Sequence, residues 1–291
     1  INGSAIANVV TTGAFTIPLM KKTGYSKEFA GAVESSASVG GQLLPPIMGA
    51  AAFIMAEMLG VQYSSIVIWA TLPALLYYLG IMIQVQLRAS KDGLVGLPKE
   101  KLPNVSAVVK DKGHLFIPII FLLYMLFFSG RTVINSAFLT IIVTIIVSQF
   151  KASTRMGLKD IVDALADGAK QTVSVAIACA CVGIIIGVSS KTGFGLTIAN
   201  TIISIGEQSL LFTLIFTMIT CMILGMGLPS IPAYIITATI AAPALAKLGI
   251  PAAAAHMFSF YFAMFANLTP PVALAAFAAA GLSGGDPMKT G

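Results

Sequence analysis

Ionisable and metal-binding side chains are scarce in this chain of 291 residues. Only 10% of the residues are charged, and the sequence has two histidines, three cysteines and one tryptophan. Neither histidine has a partner at metal-ligand spacing, and Cys179, Cys181 and Cys221 lie in apolar segments, where buried thiols are the expected state. We therefore predict no disulfide framework, no metal centre and no cofactor.

Charged side chains are also missing from the middle of the apolar runs. No Asp or Lys lies deep in such a run, and the zinc-binding pattern His-Glu-x-x-His is absent. Membrane-embedded enzymes that use zinc, paired aspartates or a serine–lysine dyad need these residues, so an enzyme is only a remote alternative. Apolar residues, by contrast, make up 57% of the chain, which is typical of a helical protein with many membrane spans.

Two pairs of prolines interrupt the apolar pattern. Gly40–Pro46 lies inside an apolar segment from 29 to 59, and Asn267–Pro271 lies inside another from 252 to 282. Glycine weakens a helix, and each proline removes an N–H donor and crowds the preceding turn, so both segments should contain a break. Unwound backbone at membrane depth is tolerated only where it is buried in protein or lines a cavity.

The two breaks are related by a fixed offset. Pro270 follows Pro45 by 225 positions, the difference between their numbers, and ten identities occur at this offset between Thr12 and Ala51. The matched residues of the first segment are Thr12, Pro18, Lys22, Gly24, Ala30, Leu43, Pro45, Pro46, Ala50 and Ala51. We interpret the match as an internal duplication. Paired interrupted helices in two repeats indicate the binding site of a secondary transporter.

The hydropathy pattern predicts an all-α membrane protein. The expected elements are a hairpin arm at 8–20, a broken span at 29–59, spans at 64–87, 115–129, 133–150 and 160–189, a lateral piece at 196–205, hairpin arms at 210–224 and 231–248, and a second broken span at 252–282. The first arm covers roughly 20 Å at ~1.5 Å per residue, which is too short to cross a bilayer. We expect it to be the returning arm of a re-entrant hairpin with its tip at Asn2-Gly3-Ser4.

The basic residues give the orientation of these spans. When the spans are threaded in order, fourteen basic residues fall on one side, and only Arg131, Lys191 and Lys247 fall on the other. The first side is therefore cytoplasmic by the positive-inside rule. The two hairpins then open to opposite sides, so the repeat is predicted to be inverted.

Several motifs of the chain resemble the large membrane subunit of the tripartite ATP-independent periplasmic (TRAP) transporters. They are Gly3–Asn8, Phe15–Met20, Gly24-Tyr25, Phe29–Glu34, Gly40-Gly41-Gln42 with Pro45-Pro46, Leu248–Pro251 and Leu268–Pro271. The run Gly49–Glu57 is closer to the TAXI-type members. The resemblance covers nearly the whole sequence.

The resemblance implies an elevator-type permease in the inner membrane of a bacterial or archaeal cell. Its partners would be a periplasmic or extracellular TAXI-type substrate-binding protein and a small DctQ-like membrane subunit, separate or fused upstream. The transport domain would comprise residues 1–60 and 161–291, with scaffold spans and a cytoplasmic loop in 61–160. The second repeat begins near 115, so its partner would begin about 110 positions before Ile1, and we expect a fragment of a longer polypeptide.

Hairpin tips and helix breaks that meet near the membrane midplane would offer carbonyl oxygens, hydroxyls and amides to sodium or a small carboxylate. The residues that we predict for ion or substrate binding are Ser4, Gly40, Gly41, Gln42, Pro45, Gly225, Gly227, Ser230, Asn267 and Thr269. Close helix packing is the alternative for each glycine. For Gln42 and Asn267, which align at the 225-residue offset, the alternative is a structural amide clamp across the break.

Glu34 is the carboxylate nearest to the first break, and it shares a helix face with Ser38. A carboxylate inside a membrane is costly, so a role in proton coupling or as an ion ligand is one hypothesis. The other is that Glu34 reaches the cytoplasmic edge or pairs with a lysine. Dicarboxylate and sialic-acid members of the family usually have small apolar residues here, so their sodium coupling does not transfer directly to this chain.

The sequence leaves two transport functions open. The first is solute uptake with a binding protein, driven by a sodium or a proton gradient. The second is a stand-alone ion-coupled carrier of the same superfamily.

Overall fold

The computed structural model describes residues 3–96, 105–194 and 209–291, together with 197, 198, 200, 201 and 204. Within these residues the regular elements are helices, without strands. In chain order we number them α1 (Ala5–Lys22), α2 (Lys27–Leu43), α3 (Ala50–Leu59), α4 (Tyr63–Lys91), α5 (Val105–Lys112), α6 (Ile117–Phe128), α7 (Val133–Ser148), α8 (Leu158–Thr192), α9 (Leu210–Gly225), α10 (Ser230–Lys247), α11 (Ala252–Phe265), α12 (Leu274–Ser283) and α13 (Pro287–Thr290). A 3₁₀ turn, Gly113–Phe116, joins α5 to α6. The predicted lateral piece at 196–205 and Asn2 of the predicted tip lie largely outside the described residues.

Two stretches of the chain have the same succession of elements. Helices α1 and α10 each have 18 residues, and each contains a proline, Pro18 and Pro243, at the 225-residue offset. Each helix is followed by a glycine with positive φ, Gly24 (φ 109) and Gly249 (φ 84), which lets the chain reverse into α2 or α11. Helix α1 is longer than the predicted arm at 8–20, because Ser4 caps it and the helix continues through the lysines at its end.

Both predicted broken helices are interrupted. The first break separates α2 from α3, and the second separates α11 from α12. Each contains a cis peptide bond, Pro45-Pro46 or Pro270-Pro271, and a non-glycine residue with positive φ, Met48 (φ 55) or Ala273 (φ 37). These features again stand 225 positions apart.

The first break begins later than the sequence predicts. Gly40 and Gly41 are helical residues of α2, and the unwound backbone starts only after Leu43. A glycine costs a helix only about 1 kcal/mol relative to alanine, whereas a proline removes a hydrogen bond and clashes with the preceding turn. The prolines, rather than the glycines, therefore determine where the helix ends.

By internal contacts the chain divides into two compact units. The first comprises residues 1–95 and 175–291, and the second comprises 96–174. These limits differ from the predicted transport and scaffold parts, whose boundaries stay a prediction.

In the first unit, α1 and α2 form an antiparallel pair, and α12 packs against both. The Nζ atom of Lys21 donates to the carbonyl oxygen of Ser283 at 2.7 Å, and the backbone N–H of Asp286 donates to Glu28 Oε1 at 3.4 Å. The end of α1, the start of α2 and the end of α12 therefore lie together. The charge count assigns all three to the cytoplasmic side.

The second half of the first unit is centred on α10, which packs closely against α11 and also against α9. Tyr234 and Phe260 are fully buried between them, with ring centroids 5.7 Å apart, and the Tyr234 hydroxyl lies 2.7 Å from Nδ1 of His256. In the second unit, α6 and α7 form the predicted hairpin, and Lys151 forms an ion pair with Asp111 at 3.5 Å.

Four helices in the described ranges are long and apolar enough to cross a membrane: Tyr63–Lys91, Val108–Phe128, Leu158–Thr192 and Ser230–Lys247. The last was predicted as a hairpin arm, and its length and composition alone would let it cross. The prediction of buried cysteines holds for Cys221 only, because Cys179 is half-buried and Cys181 is exposed. Among the described residues no helix covers Cys181 on α8, a position that hydropathy alone does not reveal.

Candidate functional site

A cavity of about 220 Å³ lies in the first unit, where the starts of α1 and α10 meet the two helix breaks. Its lining residues are Gly3, Ser4, Ala5, Ile6, Gln42, Ala50, Val175, Pro229, Ser230, Ile231 and Asn267. Four of the predicted site residues, Ser4, Gln42, Ser230 and Asn267, are thus brought together. Two come from each of the matched stretches, and no lining residue has an ionisable side chain.

Gln42 is the most informative side chain of this cavity. It is only 3% exposed, and its Nε2 atom donates to the carbonyl oxygen of Gly3 at 3.3 Å. Its Oε1 atom is buried and has no hydrogen-bond partner in the described structure. Because a buried acceptor without a donor is costly, this oxygen is suited to a ligand that brings a donor or a cation.

Backbone hydrogen bonds to Gln42 and Asn267 connect the two sides of each helix break in a similar way. The N–H of Gly49 donates to the carbonyl oxygen of Gln42 at 2.8 Å, and the N–H of Ala275 donates to that of Asn267 at 3.0 Å. The carbonyl oxygens of Pro46 and Ile47 lie 2.9 and 2.8 Å from the Tyr63 hydroxyl, so α4 supports the first break. The Asn267 side chain donates locally to Met264, with Nδ2 and the carbonyl oxygen 3.3 Å apart.

Gly40 and Gly41 have different surroundings, although they are adjacent. A methyl group on Gly40 would lie 2.6 Å from Cε1 of Tyr77 and 2.9 Å from Cζ of Tyr78, whereas one on Gly41 would have no atom within 4 Å. Gly40 thus follows the alternative of close helix packing. Neither glycine lines the cavity.

The remaining predicted residues, Pro45, Gly225, Gly227 and Thr269, also lie outside the cavity lining. Gly225 ends α9, and a methyl group there would approach the carbonyl oxygen of Ala263 to 3.0 Å. Gly227 has φ +72 in the turn before α10, and the Thr269 hydroxyl donates to the carbonyl oxygen of Phe265 at 3.0 Å. Their roles in binding remain predictions.

Glu34 is a buried carboxylate, and in the part of the chain that the structure describes it does not pair with a lysine. It is 5% exposed, and in the described ranges it forms no ion pair. Its carboxylate instead accepts hydrogen bonds from the hydroxyls of Thr12 (2.6 Å to Oε1), Thr16 (to Oε2) and Ser38 (3.4 Å to Oε1). Gln42 follows Glu34 by eight positions on α2, so this cluster lies about 12 Å along the helix from the cavity residue.

Thr12 and Thr16 are the functional candidates that the sequence reasoning missed. Their spacing of four residues puts them on one face of α1, and Asn8 and Ser4 extend that face toward the cavity. On α2 the same spacing connects Glu34, Ser38 and Gln42. This repeated spacing of polar residues on two neighbouring apolar helices was the available signal.

These features define an integral membrane protein of the transporter type: apolar helices, two matched helix breaks and a small cavity between them. A comparison with protein-family models agrees. The model for the tripartite ATP-independent periplasmic transporter, DctM component, matches residues 1–290, and the chain belongs to this family. A search of the curated proteins found no match.

The DctM component is the large permease subunit of a TRAP transporter, and it is not an enzyme. In these transporters it works with a substrate-binding protein and with the small DctQ subunit.

Proposed function

We propose that this permease takes up a small organic carboxylate, driven by a sodium or proton gradient, in a TAXI-type TRAP transporter of a bacterial or archaeal inner membrane. The observation that carries the proposal is the cavity at which both helix breaks and the starts of α1 and α10 meet. A site built from two matched halves suits a carrier that alternates between two openings.

The cavity suits an anion for an electrostatic reason. The first residues of three helices line it: Ala5 of α1, Ala50 of α3 and Ser230 of α10. Helix N-termini present unpaired N–H groups and a partial positive charge of about half a unit each, so they attract a carboxylate without a basic side chain. A volume of about 220 Å³ suits a solute with few carbon atoms.

The cavity and Glu34 offer alternative places for the coupling ion. Sodium requires hard oxygen ligands, which the Gln42 Oε1 atom, the Ser4 and Ser230 hydroxyls and nearby carbonyls can supply. A proton requires a titratable group, which the cavity lining lacks and Glu34 provides. In the transport step, the inverted hairpins and broken helices would move together as an elevator domain against scaffold helices.

The test is uptake by the complete complex in proteoliposomes. The binding protein is first screened against a panel of mono- and dicarboxylates, and a radiolabelled ligand from this screen is the transported solute. Uptake is then measured with a sodium gradient alone and with a proton gradient alone. We expect one gradient to drive uptake that depends on the binding protein.

Two results would count against the proposal. Uptake without the binding protein would favour the stand-alone carrier. Equilibration of the solute without dependence on either gradient would remove ion coupling. Gln42→Leu tests the cavity and should strongly reduce uptake, whereas Gln84→Leu changes a glutamine outside the cavity lining and serves as the matched control.

A further inference from the structure

Two threonine hydroxyls of the Glu34 cluster each have two hydrogen-bond acceptors within reach, which a purely structural network does not need. The Thr12 hydroxyl lies 2.6 Å from Glu34 Oε1 and 2.8 Å from the carbonyl oxygen of Asn8. The Thr16 hydroxyl is hydrogen-bonded to Glu34 Oε2 and lies 3.0 Å from the carbonyl oxygen of Thr12. A hydroxyl has one proton to donate, so each threonine can choose between the carboxylate and a backbone carbonyl.

This choice lets the cluster hold Glu34 in two charge states with the same heavy-atom positions. When Glu34 is ionised, both threonine hydroxyls donate to its oxygens. When Glu34 is protonated, its own O–H donates to a threonine oxygen, and that threonine turns its proton to the carbonyl of the preceding turn. The only bond that forms is between a carboxylate oxygen and a proton delivered by a hydronium ion, which leaves as water.

The third donor to Glu34 is the Ser38 hydroxyl, which Asn8 orients. Asn8 Nδ2 donates to Ser38 Oγ at 2.9 Å, so the Ser38 hydroxyl is directed to Glu34 Oε1. The donors to Glu34 among the described residues therefore all belong to α1 and α2. The matched stretch of the chain lacks the arrangement, because Ser259 stands at the position of Glu34 and Ala241 at that of Thr16.

In the part of the chain that the structure describes, no basic side chain is paired with Glu34 and competes with a proton there. The charged or titratable residues of α2 and of the elements that pack against it are Lys21, Lys22, Lys27, Glu28, Tyr63, Tyr77, Tyr78, Arg88, Lys91, His256, Tyr261, Asp286 and Lys289, and α12 contributes none. Among the described residues, none of the basic ones forms an ion pair with Glu34. Gly13 of α1 lies beside the Glu34 side chain, because a methyl group on Gly13 would come within 3.1 Å of Glu34 Cγ.

We propose that Glu34, Thr12, Thr16 and Ser38 form the proton-binding site of this transporter. When Glu34 gains or loses a proton, the threonine hydroxyls rotate between its carboxyl group and a backbone carbonyl. Glu34 carries the proton, and Thr12 and Thr16 are positioning residues that set how tightly it is held. The inference rests on the proposed ion-coupled transport and selects the proton as the coupling ion.

The test measures proton binding directly. The permease with its small subunit is placed in lipid nanodiscs, and pH-dependent infrared difference spectra report the C=O stretch of a protonated carboxyl. We expect a titrating band that Glu34→Gln removes. In T12V/T16V the band should persist, with its midpoint at least about one pH unit higher, because the ionised form loses two hydrogen-bond donors.

Controls separate this role from a structural one. Thr11→Val removes a neighbouring hydroxyl that donates only to the carbonyls of Ala7 and Asn8, and Thr237→Val removes the matched hydroxyl of α10; neither should move the midpoint. T12S/T16S retains the hydroxyls and should keep the wild-type midpoint. If the double valine variant does not fold, the single variant Thr16→Val should show a smaller shift in the same direction.

The inference is overturned if Glu34→Gln leaves every titrating carboxyl band in place, or if the valine variants titrate as the wild type does. Sodium-driven uptake with no Glu34 band would reject this site and leave the proposed transport function intact. A Glu34 band with the expected shifts, in a complex without gradient-driven uptake of any solute, would instead reject the transport proposal.

Discussion

The adjacent glycines Gly40 and Gly41 should respond in opposite ways to the same substitution. In Gly40→Ala the new methyl group would lie 2.6 Å from Tyr77 Cε1 and 2.9 Å from Tyr78 Cζ, whereas carbon atoms prefer about 3.5–4.0 Å. The rings cannot simply withdraw, because their hydroxyls donate to the carbonyls of Ser36 and Ala37, at 2.9 and 2.8 Å. Overpacking of this kind costs about 1–3 kcal/mol.

Gly41→Ala should be neutral or stabilising. A methyl group at Gly41 meets no atom within 4 Å, and alanine gains about 0.8–1.0 kcal/mol over glycine inside a helix. Both variants receive the same helix-propensity gain, so they should differ in stability by the overpacking cost alone, about 1–3 kcal/mol.

Thermal unfolding in nanodiscs, followed by the helical circular dichroism signal, compares the two variants under one condition. Solute uptake by the same preparations shows whether either glycine also has a role in transport. An equal loss of stability in both variants would refute the packing argument, because it would mean that the backbone freedom of glycine matters at both positions. A stable Gly40→Ala would refute it as well.

Three further predictions concern caps, packing and the cavity. Ser4→Ala and Ser26→Ala each remove an N-cap acceptor, and each should lower the free energy of unfolding by about 0.5–2 kcal/mol. Only Ser4→Ala should also change the apparent KM for uptake, because Ser4 lines the cavity and Ser26 does not. Gly225→Ala should destabilise by about 1–3 kcal/mol because its methyl group meets backbone, whereas Gly183→Ala, with open space around it, should not. Gln42→Glu should weaken uptake of an anionic solute more than Gln42→Ala does, by repulsion, and equal effects in a radiolabelled uptake assay would argue against an anion beside this residue.

The helical class and the positions of both broken helices could be predicted from the sequence. Proline acts on the backbone of its own helix, so its effect can be predicted without knowledge of the helices that pack against it. The matched offset of 225 positions also predicted which residues would correspond in the two stretches.

The surroundings of each side chain could not be predicted in the same way. Gly40 faces two tyrosines of α4, and nothing near Gly40 in the sequence distinguishes it from Gly41. Glu34 was recognised as a costly carboxylate, but its donors Thr12 and Thr16 come from another helix. Their partnership depends on how α1 and α2 are rotated against each other, which a single hydrophobic pattern does not determine.

The contact between Lys21 and Ser283 has a consequence for biosynthesis. The two residues are 262 positions apart, so at ~5–20 residues per second Ser283 is added to the chain roughly 13–52 s after Lys21, and α1 and α2 are complete well before α12 exists to cover them. During that interval the nascent pair of helices exposes its α12-facing side to lipid with a carboxylate inside it. Because the described hydrogen-bond donors to Glu34 all lie on α1 and α2, this pair of helices can satisfy the carboxylate before α12 is synthesised.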